Sequence, residues 1–175
     1  IGNMPDHETI LPFTRLMGGP MDYTPGIFNI KMSYYNPEKK EQVHTTLTKQ
    51  LALYVTMYSP LQMAADLPEN YEAKPDAFQF IKDVAVDWDD TKILQAEPGD
   101  YIIIARKAKN SNNWFLGAIT DEQARTFNTS LSFLDADKKY IATIYRDADD
   151  ASWNNNPEAY KIEKYIVDHK TNLKL

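Results

Sequence analysis

Three sets of residues in this chain are of types that do chemistry. The first is Asp22-Tyr23, within residues 7–28, HETILPFTRLMGGPMDYTPGIF. An acid and a phenol there close a short extended piece just ahead of a Pro25-Gly26 turn, where an Asp serves as a turn residue that hydrogen-bonds its own backbone. The second set is His7-Glu8. It lacks the spacing of a metal motif such as HExxH, and an acid in a first helical turn is favoured by the helix dipole alone. The third is the acidic run RDADDASWNNN, residues 146–156. It offers oxygen ligands but lacks the alternating acids, sixth-position glycine and distant glutamate of a calcium loop. A solvated hairpin loop is the better expectation. Trp88, Trp114 and Trp153 can stack on sugar rings or fill a core. Trp114 opens an alternating strand and reads as core, which leaves Trp153, among asparagines, as the sugar-stacking candidate. Tyr34-Tyr35-Asn36-Pro37 reads equally as pocket wall or packing.

Composition narrows the classes. A net charge of -6 disfavours nucleic-acid binding, which needs basic surface against phosphate. With no cysteine, disulfides, thiolate metal sites and a cysteine nucleophile are excluded. No apolar run is long enough to cross a bilayer. The longest, residues 47–63, is broken by Lys49, Gln50 and Pro60. No phosphate-cradling glycine loop, zinc HExxH or GxSxG elbow is present. With 43% hydrophobic residues in a chain of 175, one domain, or a small domain plus part of another, can be built.

The elements that must position these residues come in two styles. Up to residue 84 the apolar spacing is helical. Asp6 is placed to cap a helix bearing Ile10, Phe13, Leu16 and Met17, which Gly18-Gly19 ends, and residues 20–23 then run extended. A second helix is expected over 41–58, with Val43, Leu47, Leu51 and Tyr54 on one stripe and Pro60 closing it. Residues 66–75 read as a connector. Asp76 then caps a third helix with Phe78, Ile81 and Val84. Beyond it, short strands alternate with turns: 92–96, 101–105, 114–119, 125–134, 140–145 and 160–167, with a capping-box turn at 120–123. Six strands in this space suggest an antiparallel sandwich or open barrel.

Residues 7–28 resemble the late barrel segment of glycoside hydrolase family 97. WDDTKILQAEPGDYIIIARKAKNSNNWFLGAITDEQAR, residues 88–125, is similar to that family's C-terminal domain. The resemblance implies a three-part parent: an N-terminal β-sandwich, a catalytic (β/α)8 barrel and a C-terminal all-β domain. It implies an exo-acting hydrolase of α-glucosides, by inversion, or α-galactosides, by retention, with calcium held by glutamates near the substrate. It also implies a periplasmic or secreted bacterial enzyme. The family's catalytic and calcium-binding carboxylates fall upstream of Ile1, and none carries over onto a residue here.

The fold expected is therefore mixed α and β: residues 1–83 the last part of a (β/α)8 barrel, residues 84–175 an antiparallel β-sandwich. A chain that begins with Ile1 is expected to be the tail of a larger glycosidase, non-catalytic alone, with no metal site of its own. The alternative is a carbohydrate-binding module. Asp22 and Tyr23 are the expected substrate-binding residues, and an oligosaccharide is the parent's expected partner. Helix faces Ile10/Phe13 and Leu47/Leu51, cut from their barrel, are expected to be exposed and to drive self-association.

Overall fold

The computed structural model describes residues 4–175. Ile1, on which the expectation of a cut chain rests, lies outside them. The chain forms helices first and antiparallel strands after. Helix α1, Pro5–Ile10, opens on Pro5 rather than on an Asp6 cap, because proline's fixed φ suits the first helical position. It is shorter than expected. Pro12 has no N–H to continue the ladder, and the chain passes into two tight turns, Leu11–Phe13 and Arg15–Gly18. The extended piece expected at 20–23 is reduced to one parallel bridge, Tyr23 to Gln62.

Helix α2, Leu47–Thr56, starts later than the apolar stripe suggested. Thr46 is extended and its hydroxyl accepts from the Lys49 N–H, which fixes the first turn there. Helix α3, Pro68–Glu72, occupies the supposed connector, with a proline again in its first turn. Helix α4 spans Pro75–Asp83.

Strands β1, Trp88–Glu97, β2, Tyr101–Ala108, and β3, Trp114–Thr120, form an antiparallel sheet in that order. Strand β4, Asn128–Ser130, pairs with β7, Asn172–Lys174. Strands β5, Tyr140–Asp147, and β6, Tyr160–Val167, make a separate two-stranded ribbon. The long strand expected at 125–134 shrinks to β4, and residues 120–123 do not turn helical. The Asp121 carboxylate takes the Gln123 N–H and pairs with Arg125 instead.

Helix α2 lies between two cores. Leu47 and Leu51 meet Phe28, Ile30, Tyr71 and Ala77. Leu53, Val55 and Met57 meet Ile102, Ile104 and Ile119 of the sheet, and Phe13 packs against that cluster. The expected exposed helix faces are therefore corrected. Leu47 and Leu51 are fully buried, because the same chain supplies their cover, and Ile10 is half-buried. A third cluster joins Leu131, Leu134 and Val167 to Trp114 and Tyr140. Sheet and helix approach closely at Gly117, where a Cβ would lie 2.9 Å from the Ala52 carbonyl oxygen. On the same sheet face the buried Arg106 donates from Nε to the Val55 carbonyl at 2.7 Å and from Nη1 to Thr91 at 2.9 Å. Burial among these neutral groups depresses its pKa to about 10.

Candidate functional site

The Asp22-Tyr23 segment leads into a loop, residues 25–29, whose backbone is held by buried side chains. Gln50 on α2 accepts from the Gly26 N–H at 3.0 Å through Oε1, and its Nε2 donates to Thr45. Tyr54, one turn on, donates to the carbonyls of Pro25 and Met63. Tyr71 on α3 donates to the Gly26 carbonyl at 2.8 Å and accepts the Asp66 N–H at 2.9 Å. Gly26 has φ +92°, and a Cβ there would lie 2.5 Å from the Tyr54 hydroxyl. Neither the backbone conformation nor the space admits another residue. Burial raises the Tyr54 and Tyr71 pKa values, so both remain neutral donors.

Asp66 fastens the far side of the loop. Its Oδ2 accepts the N–H groups of Phe28 at 2.7 Å and Asn29 at 2.8 Å, and its Oδ1 accepts from Leu67 and Tyr35. Partial burial raises its pKa. The hydrogen bonds from Asn29, Asn70, Leu67 and Phe28 together outweigh that and leave the carboxyl below its ordinary value of 3.8. The folded state thus holds the Asp66 proton more weakly than the unfolded chain does. Its stabilising contribution is complete above the unfolded pKa and is lost as pH falls through the lower folded one. Urea melts should show the midpoint dropping between about pH 5 and pH 2, with a shallower drop in Asp66→Asn. Equal slopes for the two proteins would refute this role.

Asp22 is exposed and Tyr23 half-buried. The Tyr23 hydroxyl points to Glu8, donating to Oε1 at 3.2 Å, and the Lys49 ammonium lies 2.9 Å from Glu8 Oε2. Lys49 also donates to the Thr120 carbonyl at 2.9 Å. Glu8 is therefore more than a first-turn acid. It is a buried anion linking α1, the Tyr23 segment, α2 and the end of β3. Burial raises its pKa, and Lys49 and Tyr23 only partly offset this. No local pattern marks the Glu8–Lys49 pair, because its members come from different helices. The same holds for Asp66 and for Arg106.

The remaining candidates are less open than the sequence suggested. Trp153 packs on the His44 ring at 4.2 Å, and Trp114 lies against Phe133 at 4.8 Å. Residues 146–156 close on themselves through Ser152, Asn154, Asn155 and Asp150, as a hairpin loop does. Tyr35 donates to Asp66, and Tyr34 meets it edge-on at 5.0 Å. A groove of about 1020 Å³ runs between α2, β3 and the β5–β6 ribbon. Its walls are largely apolar, and Asp22 and Tyr23 are not among them. Asp147, itself exposed, lines it. Among the described residues no three His, Asp or Glu side chains group as metal ligands would.

The family model described as glycosyl-hydrolase 97 C-terminal, oligomerisation, matches residues 87–175. The chain belongs to glycoside hydrolase family 97. This family 97 chain is 35% identical over 171 residues to a retaining alpha-galactosidase of Bacteroides thetaiotaomicron, covering 97% of this chain and 25% of that protein. A family 97 enzyme from Pseudoalteromonas sp. strain K8, solved with panose and with acarbose, superposes with a TM-score of 0.92. It shares 51% sequence identity, over 99% of this chain and 27% of its own. A beta-arabinopyranosidase at TM-score 0.77 and 23% identity shares the fold alone. The family 97 chain spans about a quarter of the length of the relatives it matches.

Proposed function

We propose that this chain is the C-terminal portion of a glycosidase that hydrolyses α-linked gluco-oligosaccharides. The observation that carries this is the 51% identity, over nearly the whole chain, to an enzyme solved with panose and acarbose. The second reading, an α-galactosidase, rests on the 35% identity to the Bacteroides thetaiotaomicron enzyme. Residues 1–83 are read as the end of the catalytic barrel. The parallel bridge from Tyr23 to Gln62, with α2 between them in sequence, supports this, since it is the connection of a βαβ unit. Residues 84–175 are read as a β-sandwich that braces the barrel. The packing of Trp153 on His44 favours such a bracing role over a sugar-binding module.

In this reading Asp22 and Tyr23 stand at the pocket rim, where barrel enzymes bind substrate. The loop tied by Gln50, Tyr54, Tyr71 and Asp66 fixes their position. Hydrolysis needs two carboxyl groups flanking the scissile bond, and these, with the calcium ligands, belong to parts of the parent outside this chain. The likeness to family 97 alone supports reading the parent as periplasmic or secreted. Kinetics of the full-length parent on 4-nitrophenyl α-glucoside and α-galactoside test the proposal. A preference for the glucoside of about 10⁴-fold is expected, because a site built to hydrogen-bond one hydroxyl rejects the sugar that misplaces it. A preference for the galactoside would establish the second reading. The chain alone should turn over neither.

A further inference from the structure

The family model that matches residues 87–175 carries oligomerisation in its description, but which surface would do this is a separate question. Among the described residues of that segment, the exposed large apolar side chains are Ile93, Ile141, Tyr165 and Ile166. Ile141 and Ile166 are by far the most open, at 77% and 76%. They are also register partners across the β5–β6 ribbon. Opposed residues share a face and stand about 5 Å apart at Cβ, so the two form one continuous apolar patch. Tyr165 pairs with Ala142 and lies on the opposite face, and Ile93 stands on β1.

The ribbon face that bears this patch is covered at one end only. There Tyr145 meets Phe80 of α4 edge-on at 5.3 Å, and the Tyr160 hydroxyl donates to Asp76 at 2.6 Å. Moving along β5 from Asp147 to Ile141 covers about 20 Å, away from those helices and towards the Trp114 end of β3. Thr143 and Lys164, the pair between, give the patch a polar border. Beyond them the isoleucine pair is open.

We propose that the Ile141–Ile166 face of the ribbon is the docking surface for a second copy of this protein, related by a two-fold axis. The inference rests on residues 87–175 being the oligomerisation domain of a larger family 97 enzyme. A two-fold axis sets a patch against its own copy, so a self-complementary apolar face with a neutral or singly charged border is what such contact requires. Non-polar pairs at the centre, with a polar rim, are the usual anatomy of these interfaces.

Full-length parent carrying Ile141→Asp, Ile166→Asp or Tyr165→Ser is examined by sedimentation velocity over a dilution series. Melting temperature and α-glucoside turnover are measured on the same samples. Either aspartate variant should weaken association by about 30-fold or more, the size of a central apolar contact, with melting and turnover nearly unchanged. Tyr165→Ser should associate as the wild type does. A monomeric wild-type parent overturns the proposal, as does an aspartate variant that associates normally. Loss of melting temperature without loss of assembly also overturns it, and would assign the patch to contact with the parent's own remaining domains. Absence of turnover on either sugar, with association lost as expected, would sink the substrate reading and leave the interface standing.

Discussion

Lys49→Met should destabilise this fold by about 4 kcal/mol, because it strands the Glu8 carboxylate in the interior. Glu8 is 6% exposed, and its counter-charge is the Lys49 ammonium at 2.9 Å. Removing the ammonium leaves the anion facing the Tyr23 hydroxyl, a neutral donor at 3.2 Å. In a chain of this length, that loss lowers the melting temperature by about 10 °C. The deficit should depend on pH. The Glu8 pKa already sits above 4.5 in the fold, and without Lys49 it rises further. The folded state then binds this proton more tightly than the unfolded chain, so stability declines as pH climbs from the unfolded value through the folded one. Acidification should return part of what Lys49→Met removes. The double variant Glu8→Leu/Lys49→Met should recover to within about 1 kcal/mol, since a buried pair contributes little net stability against apolar replacements. Thermal melts of the wild type and the two variants at neutral and acid pH measure all of this. A single variant as stable as the wild type at neutral pH would show that Glu8 is not held as a buried anion.

Gly117→Val should be the other severe change. A Cβ at that position lies 2.9 Å from the Ala52 carbonyl oxygen, 2.9 Å from Val55 Cβ and 3.1 Å from Thr56 Cγ2. The carbonyl belongs to the middle of α2 and cannot rotate away without loss of helical hydrogen bonding. The sheet must retreat from the helix, and it is bound to the helix by Arg106 and by the Ile102, Ile104 and Ile119 contacts. Overpacking of this kind costs about 3 kcal/mol for the first carbon and more for a branched side chain. Gly117→Ala should therefore be intermediate. Val55→Ala should rescue it only in part, because that truncation frees the Val55 contact and leaves the carbonyl in place. Denaturant midpoints of the three variants decide the matter, and full rescue by Val55→Ala would place the whole clash on the side chain.

What the sequence disclosed follows from the range over which each signal acts. Strands β1, β2, β3, β5 and β6 were legible because alternation and turn residues act over a few positions. Strand β7 escaped notice because three residues carry no period. Helix α3 escaped because its two flanking prolines read as punctuation, although Pro68 is in fact its first residue. Val43 continues the apolar stripe and so points to an earlier start for the second helix, whereas the Thr46 hydroxyl decides where it begins. At the candidate site, Asp22 and Tyr23 were visible from a contiguous motif. Glu8 reads only as a first-turn acid, and Lys49, Asp66 and Arg106 carry no local signal, since each acts on backbone or charge contributed by a distant stretch.

Helix α2 has one more consequence. Its ten residues form a rod of about 15 Å. Gln50 and Tyr54 on that rod grip the loop that follows Asp22-Tyr23, while its Val55 carbonyl is clasped by Arg106 of the sheet. Whatever tilts the β strands moves one end of a lever whose other end rests on the loop at residues 25–29.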